Sequence, residues 1–304
     1  MSFVHRVLEA SITLASGNFA GGGNSLTLSG LRMSAIIEAS GGPSSSTLEL
    51  TIYGMTLSQM NQLSTVGSQL YQQNQNHITL KAGDAQAGMA TAFKGDIFNA
   101  FVDAQQMPNV CLRISAKPGA STDVQPTTPT SVKGTSDVAT VMKQLAQKGG
   151  WALENNGVNV KLNNMYLAGA IGQQMRTLAR HAGIEFFFDH TTSNAVITPP
   201  GQARQGSSTP LISPQTGMIG YPCFNQAQVI VRVIFNQSIQ FYGKVTIQSD
   251  LTAACGSFTV FHVVHELECE VPRGKWFSVL SAFSNKSGSS SQKVAQDAGD
   301  GGST

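Results

Sequence analysis

The sequence predicts an α+β protein, mainly β, in which two β segments, each a small barrel or sandwich, flank a small helix–strand module. Three observations carry this. Short alternating runs separated by turn residues recur near both ends of the chain. Between them, over about residues 134–200, the apolar residues switch to helical spacing. Charged residues make up only 12% of the 304, against 41% hydrophobic ones. That is about half of the usual ~25%, so uncharged polar residues must cover much of the surface. Such a surface suits a protein that buries its outside against neighbours rather than one kept apart by charge repulsion.

The first β segment spans 1–118. Leu26 to Glu38 is strand-like, and Thr47 to Tyr53 alternates with Leu48, Leu50 and Ile52 on one face. Gly41, Gly42, Pro43 and three serines between them predict a hairpin tip. Leu57, Met60 and Leu63 then fall at helical spacing, with Gly67 as the stop. His77 to Ala82 alternates again and Gly83-Asp84 reads as a turn. Phe93 to Ile97 and Val110 to Ala116 add two strands. Residues 119–133, rich in Pro, Thr and Ser, read as a linker.

The module spans 134–200. Val138, Val141, Met142, Leu145 and Ala146 form one helical stripe, with Ser136 or Asp137 as its cap and Gly149-Gly150 at its end. Trp151-Ala-Leu opens a strand. Leu167, Ala170, Ile171, Met175, Leu178 and Ala179 form a second stripe, which Gly183 ends before the strand Ile184 to Phe188. Met142, Leu145 and Ala146 recur as Met175, Leu178 and Ala179 at a constant offset of 33. Two such units are too few for a solenoid. The second β segment, 201–284, opens with a proline-rich loop (199–218). Strands follow at Gln228 to Phe235, Gly243 to Ser249 and Gly256 to Val271. Residues 285–304 carry almost no large apolar side chain and are expected to be disordered.

Composition and motifs exclude several function classes. The net charge is +2 and no basic run exists, so nucleic-acid recognition is not expected. The first residues lack the features of a signal peptide, and no 18-residue apolar stretch would span a membrane. Cys111, Cys223, Cys255 and Cys269 form no C-x-x-C pair, and reduced thiols are the expectation. No G-x-S-x-G, P-loop or G-x-G-x-x-G occurs, and no carboxylate pair stands out for glycoside hydrolysis. Gly21-Gly22-Gly23 reads as a turn, and Cys255 is a nucleophile only with a histidine folded against it. No catalytic residue and no cofactor are expected.

The densest cluster of potential ligands is Phe261 to Glu270, FHVVHELECE. On a strand, His262 shares a face with Val264, Glu266 and Glu268, and His265 lies on the other face with Val263, Leu267 and Cys269. His262, Glu266 and Glu268 are therefore the one metal candidate. The pattern favours a strand with one polar and one apolar face over a metal site. Trp151, Trp276 and Phe186-Phe187-Phe188 read as core, with an exposed member of the phenylalanine run as the alternative interface anchor.

Two stretches carry a resemblance. One begins at Pro210 and reads PLISPQTGMIGYP, then QVIVRVIFNQSI, GKVTIQSDLT and GSFTVFHVVHELECEVPRGKWFSVLSA, closing with Pro272-Arg273-Gly274-Lys275-Trp276. The other reads IYGMTLSQMNQLST, ITLKAGD, FKGDIFNAF and PNVCLRISA. The chain resembles the baseplate hub proteins of contractile-tailed bacteriophages, although it is somewhat short for one. The resemblance implies two tail-tube-like β domains per subunit and a homotrimer forming a pseudo-sixfold ring. It implies as partners the tail tube or a tube-initiator protein, the central spike and other baseplate proteins. The location implied is the virion tail baseplate, after synthesis and assembly in the host cytoplasm. The alternatives are a tail-tip cell-wall hydrolase and a receptor- or glycan-binding module.

Overall fold

The computed structural model describes residues 5–40, 46–70, 72, 75–84, 88–105, 107–206, 208–224 and 228–284. The hairpin tip at 41–45 and the C-terminal stretch 285–304 lie outside the described residues. Strand makes up 47% of the chain and helix 16%, so the α+β, mainly β class holds.

The first segment contains β1 (Arg6–Thr13), β2 (Ser25–Leu28), β3 (Met33–Ser40), β4 (Thr47–Tyr53), α1 (Leu57–Leu63), β5 (Asn76–Asp84), β6 (Gly88–Asp103) and β7 (Cys111–Lys117). Period-two patterning sets the faces: Met33, Ala35 and Ile37 of β3 and Leu48, Leu50 and Ile52 of β4 all point into one core. The run Leu26 to Glu38 is two strands rather than one. Gly30, at φ +66°, turns the chain there, so β2 pairs with β1 and β3 with β4. Helix α1 starts with a reciprocal cap: Gln59 N–H donates to Thr56 Oγ1 and Thr56 N–H to Gln59 Oε1. It stops before Gly67, because the Ser64 hydroxyl and N–H both take the Met60 carbonyl. Gly83-Asp84 is the end of β5 rather than a separate turn.

The middle of the chain contains α2 (Ala120–Val124), β8 (Thr130–Asp137), α3 (Val138–Lys148), β9 (Ala152–Asn155), β10 (Lys161–Leu167), α4 (Ile171–Ala182), β11 (Glu185–Phe188) and β12 (Asn194–Thr198). Residues 119–133, expected as a linker, thus hold a helix and the start of a strand. The polar residues that mark a linker by composition are fixed by partners here. Ser121 donates through N–H and Oγ to Asp96, and Asp123 pairs with Lys117 and Arg176. Asp137 caps α3 by accepting from the Thr140 N–H. The repeated positions Met142, Leu145, Ala146 and Met175, Leu178, Ala179 are all buried in one core. The two units do not stack in register, however: β9 runs parallel to β12 and β11 antiparallel, on opposite sides of it.

The last segment contains β13 (Leu211–Ile212), β14 (Cys223–Phe224), β15 (Val229–Ile234), β16 (Lys244–Ile247), β17 (Gly256–Cys269) and β18 (Trp276–Ser284). It does not form a sheet of its own. Strand β17 pairs with β3 from His262↔Ser40 to Cys269↔Met33, joining both β segments into one 13-stranded sheet. The order is β14-β15-β18-β17-β3-β4-β7-β6-β5-β1-β2, with β16 and β13 branching from β17. The sheet curls until β1 lies beside β17, where the Arg6 guanidinium sits 5.7 Å from the Trp276 ring centroid. It remains open, so neither segment is a closed barrel. Two cores line its inner face, one under the first segment and one under the last. Strand β17 serves both: Val260 and Val263 enter the second core, Leu267 and Cys269 the first.

Candidate functional site

The histidine-bearing strand falls as the alternation predicts. Val263, His265, Leu267 and Cys269 are buried, and His262, Val264, Glu266 and Glu268 face outward. A β-bulge between Val260 and His262 resets the phase by one residue, which places Val260 and Val263 both inside. The outward side chains do not converge. His262 Nε2 lies 3.1 Å from Glu38 Oε1 on β3. Glu266 Oε2 pairs with Lys275 Nζ at 2.7 Å, and Glu268 Oε2 accepts from the Lys275 N–H at 2.9 Å. Each carboxylate has a nearer partner across the sheet or in the closing turn. Among the described residues, no three His, Cys, Asp or Glu side chains are grouped to hold a metal.

A polar centre lies on the inner side of β17, at the buried His265. His265 Nδ1 lies 2.6 Å from Ser278 Oγ on β18, and Phe235 packs edge-on against its ring. Nearby, Arg204 reaches from the loop after β12 to two carboxylates, Asp189 buried and Glu154 partly exposed. Its Nη1 lies 2.7 Å from Asp189 Oδ2, and its Nε and Nη2 take both oxygens of Glu154 on β9 at 2.8 and 2.5 Å. The Arg204 N–H also donates to the Tyr242 carbonyl in the last segment. Asp189 accepts from Thr191 N–H and Oγ1, and the His190 carbonyl accepts from the Lys94 N–H of β6. This network ties the module to both β segments.

The electrostatics follow the geometry. Burial pushes the Asp189 carboxyl up, but the Arg204 and His190 charges and the Thr191 bonds outweigh it, leaving it at about 2. Burial, joined by the neighbouring His190, holds His265 down at about 3. His190 is also depressed by burial, which Asp189 only partly offsets. His265 is neutral at ordinary pH. Burial, then Glu185, pushes the Tyr242 hydroxyl up to about 12. Sequence reading found His265 as an inward residue but missed Glu154, Asp189, His190 and Arg204. Those four lie on three separate stretches between 154 and 204, and no local spacing brings them together.

The aromatic residues are core. Phe186 and Phe188 pack in the module, and Phe187 turns the other way onto Phe241 and Tyr242, with ring centroids 4.8 and 5.5 Å away. None of the three is an exposed anchor. The exposed apolar side chains lie elsewhere. Ile219, Tyr221, Phe224 and Ile234 gather along the outer edge of β15, where the chain before β14 bonds to Arg232 and Ile234. Ile36 and Phe101 stand on the open outer face of the sheet. Cys223 and Cys255 are exposed free thiols, and Cys111 and Cys269 are buried free thiols. The Cys255 Sγ is held by the Ser249 and Leu251 carbonyls.

One open sheet and a helix–strand module tied to it by an ion network define a mainly β architecture of the α+β class. Solved structures share the fold. The tail protein of Neisseria meningitidis MC58 matches at TM-score 0.61 and 10% identity, over 91% of this chain and 97% of that one. The 43 kDa tail protein of prophage MuSo2 from Shewanella oneidensis matches at 0.60 and 10%, over 92% and 96%. An Escherichia coli type VI secretion component, described as similar to T4 tail proteins gp27 and gp5, matches at 0.55 and 8%, over 83% and 73%. No curated protein matches in sequence. The family model of baseplate hub gp41 matches residues 7–277, and the chain belongs to that family. The family places it in a phage tail as a structural protein. Among the described residues no helix is long and apolar enough to cross a membrane.

Proposed function

We propose that the chain is the structural hub subunit of a contractile phage baseplate, a homotrimer whose ring adapts the hexameric tail tube to the threefold central spike. The observation that carries this is the joining of two β segments, each with its own core, into one sheet through β3 and β17. One subunit then offers two sectors and three subunits offer six, which fits a sixfold tube on one side and a threefold spike on the other. The charge-poor composition and the apolar margin outside β15 support contact with neighbouring subunits. The partners are the tail tube or its initiator, the spike and other baseplate proteins, assembled in the host cytoplasm. In this reading the chain does no catalysis. Residues 1–118, 134–200 and 201–284 serve as its two sectors and the module between them. Light scattering after size-exclusion chromatography tests it. Three chain masses of 32.1 kDa are expected, and a strict monomer, also when mixed with tube and spike proteins, overturns it.

A further inference from the structure

A cleft of about 380 Å³ opens between the β5–β6 ribbon and the module, lined by His77, Thr79, Lys94 and Asp96 on one wall. Cross-strand pairing sets that wall, with His77 opposite Asp96 and Thr79 opposite Lys94. The facing wall holds Ser121, Thr122, Ser193 and the Trp151 indole. Trp151 is fixed: its Nε1 donates to Thr122 Oγ1 at 2.9 Å and its ring rests on Phe188, centroids 4.4 Å apart. Asp96 is buried and fully engaged, with His77 Nδ1 at 2.6 Å and Ser121 N–H and Oγ at 2.8 and 2.7 Å. That bond leaves His77 Nε2 as the ring's other nitrogen, a donor once the ring is protonated, and 60% of the His77 side chain is exposed. Among the described residues Lys94 makes no ion pair. The charged and titratable lining groups are His77, Lys94 and Asp96, so the cleft carries one net positive charge when His77 is protonated.

We propose that this cleft binds a monocarboxylate with an apolar body, the carboxylate between Lys94 and His77 and the body against Trp151. One net charge suits a single carboxylate better than a doubly charged phosphate, and the indole wall needs an apolar partner. The hydrogen bond to Asp96 holds the His77 imidazolium above its usual range, and burial only partly opposes this. Binding therefore weakens as pH rises and His77 loses its proton.

Titration calorimetry of the full chain with N-acetyl-phenylalanine at pH 6 and 8.5 tests this, alongside the Trp151 indole N–H resonance. Saturable binding is expected at pH 6, weaker at pH 8.5, with the Trp151 signal moving and that of Trp276 unmoved. Lys94→Gln, at a half-buried position of the cleft wall and checked by its melting curve, weakens binding about tenfold. N-acetyl-phenylalaninamide and inorganic phosphate bind no better to the wild type than to Lys94→Gln. Phenylacetate separates the sources: weaker than the peptide acid, the ligand is a chain end; tighter, it is a free small acid. No saturation up to about 10 mM, equal binding of acid and amide, or an unchanged Lys94→Gln overturns the proposal.

Discussion

Arg204 and Asp189 form an ion pair that is almost entirely shut from water, with side chains 5% and 3% exposed and Nη1 2.7 Å from Oδ2. Two charges moved into such a place lose hydration worth several kcal/mol each, and their attraction offsets this only with good geometry and further hydrogen bonds. Both conditions are met, since Arg204 also takes both Glu154 oxygens and Asp189 also takes two Thr191 donors. Whatever net stability the pair contributes, breaking it from one side leaves a buried charge alone.

Arg204→Met therefore costs about 3–5 kcal/mol in denaturant unfolding, because Asp189 loses its cation while staying buried. Asp189→Asn added to Arg204→Met recovers part of that loss, since the uncompensated charge disappears. Chemical unfolding of the four members of the cycle checks this. Additive losses would show that the two side chains do not act as a pair.

Stability falls as pH drops below about 6.5, the usual histidine value. His265 is held neutral in the fold, down to about 3, whereas the unfolded chain takes up the proton near 6.5. A depressed histidine thus contributes stability above 6.5 and loses it progressively as pH falls toward its folded value. Asp189, held at about 2, keeps its contribution until pH falls through the window between the usual 3.8 and 2. The expected slope between pH 6 and 4.5 approaches about 1.4 kcal/mol per pH unit for each proton withheld. His265→Leu lowers stability at pH 8, because Ser278 loses its partner, yet it flattens the slope. Urea midpoints at pH 8, 6 and 4.5 read both effects separately, and an unchanged slope would remove His265 as its cause.

Most of the fold was legible because it is written in local periods. Leu48, Leu50 and Ile52 show a strand with one buried face, and Met142 with Leu145, or Met175 with Leu178, shows a helix. The faces of His262 and His265 follow from the same alternation. Strand β8 was not legible: its TSVKGTSD sequence has no buried stripe and takes its place by pairing with β10. Helix α2 was hidden for a related reason, since Asp96, 25 residues earlier, holds Ser121. The joining of two β segments into one sheet rests on β3 meeting β17 across more than 220 residues, and no period in either strand encodes that. The ion network of Glu154, Asp189 and Arg204 is tertiary in the same sense.

Gly119 is a position where the backbone and the packing agree on glycine. Its φ is +72°, and an added Cβ would lie 2.6 Å from the Phe188 ring. Gly134 has a similar φ of +80° with open space around it. Gly134→Ala isolates the backbone cost, about 1–2 kcal/mol for a left-handed residue. Gly119→Ala adds the displacement of a ring that also supports Trp151, bringing the total to at least about 3 kcal/mol. Thermal unfolding of both variants measures the difference, and equal losses would mean that the ring yields freely.

The apolar margin outside β15, formed by β14 and the stretch before it, makes the last prediction, which rests on the proposed trimer. Tyr221 is 67% exposed and Phe224 50%, beside a β14 only two residues long. Open edges with apolar side chains invite pairing with another chain, and proteins that stay monomeric blunt them with charge. The stretch Ile219 to Phe224 carries no charged residue. Tyr221→Ser with Phe224→Ser removes apolar area without touching either core. The double variant should keep the melting temperature of an isolated subunit within about 2 °C, since surface changes away from special features stay within about 0.5 kcal/mol. It should shift the mass in light scattering from three chains toward one. A variant that remains trimeric at low concentration would place the subunit contact elsewhere, and the outer face around Ile36 and Phe101 would be the next surface to charge.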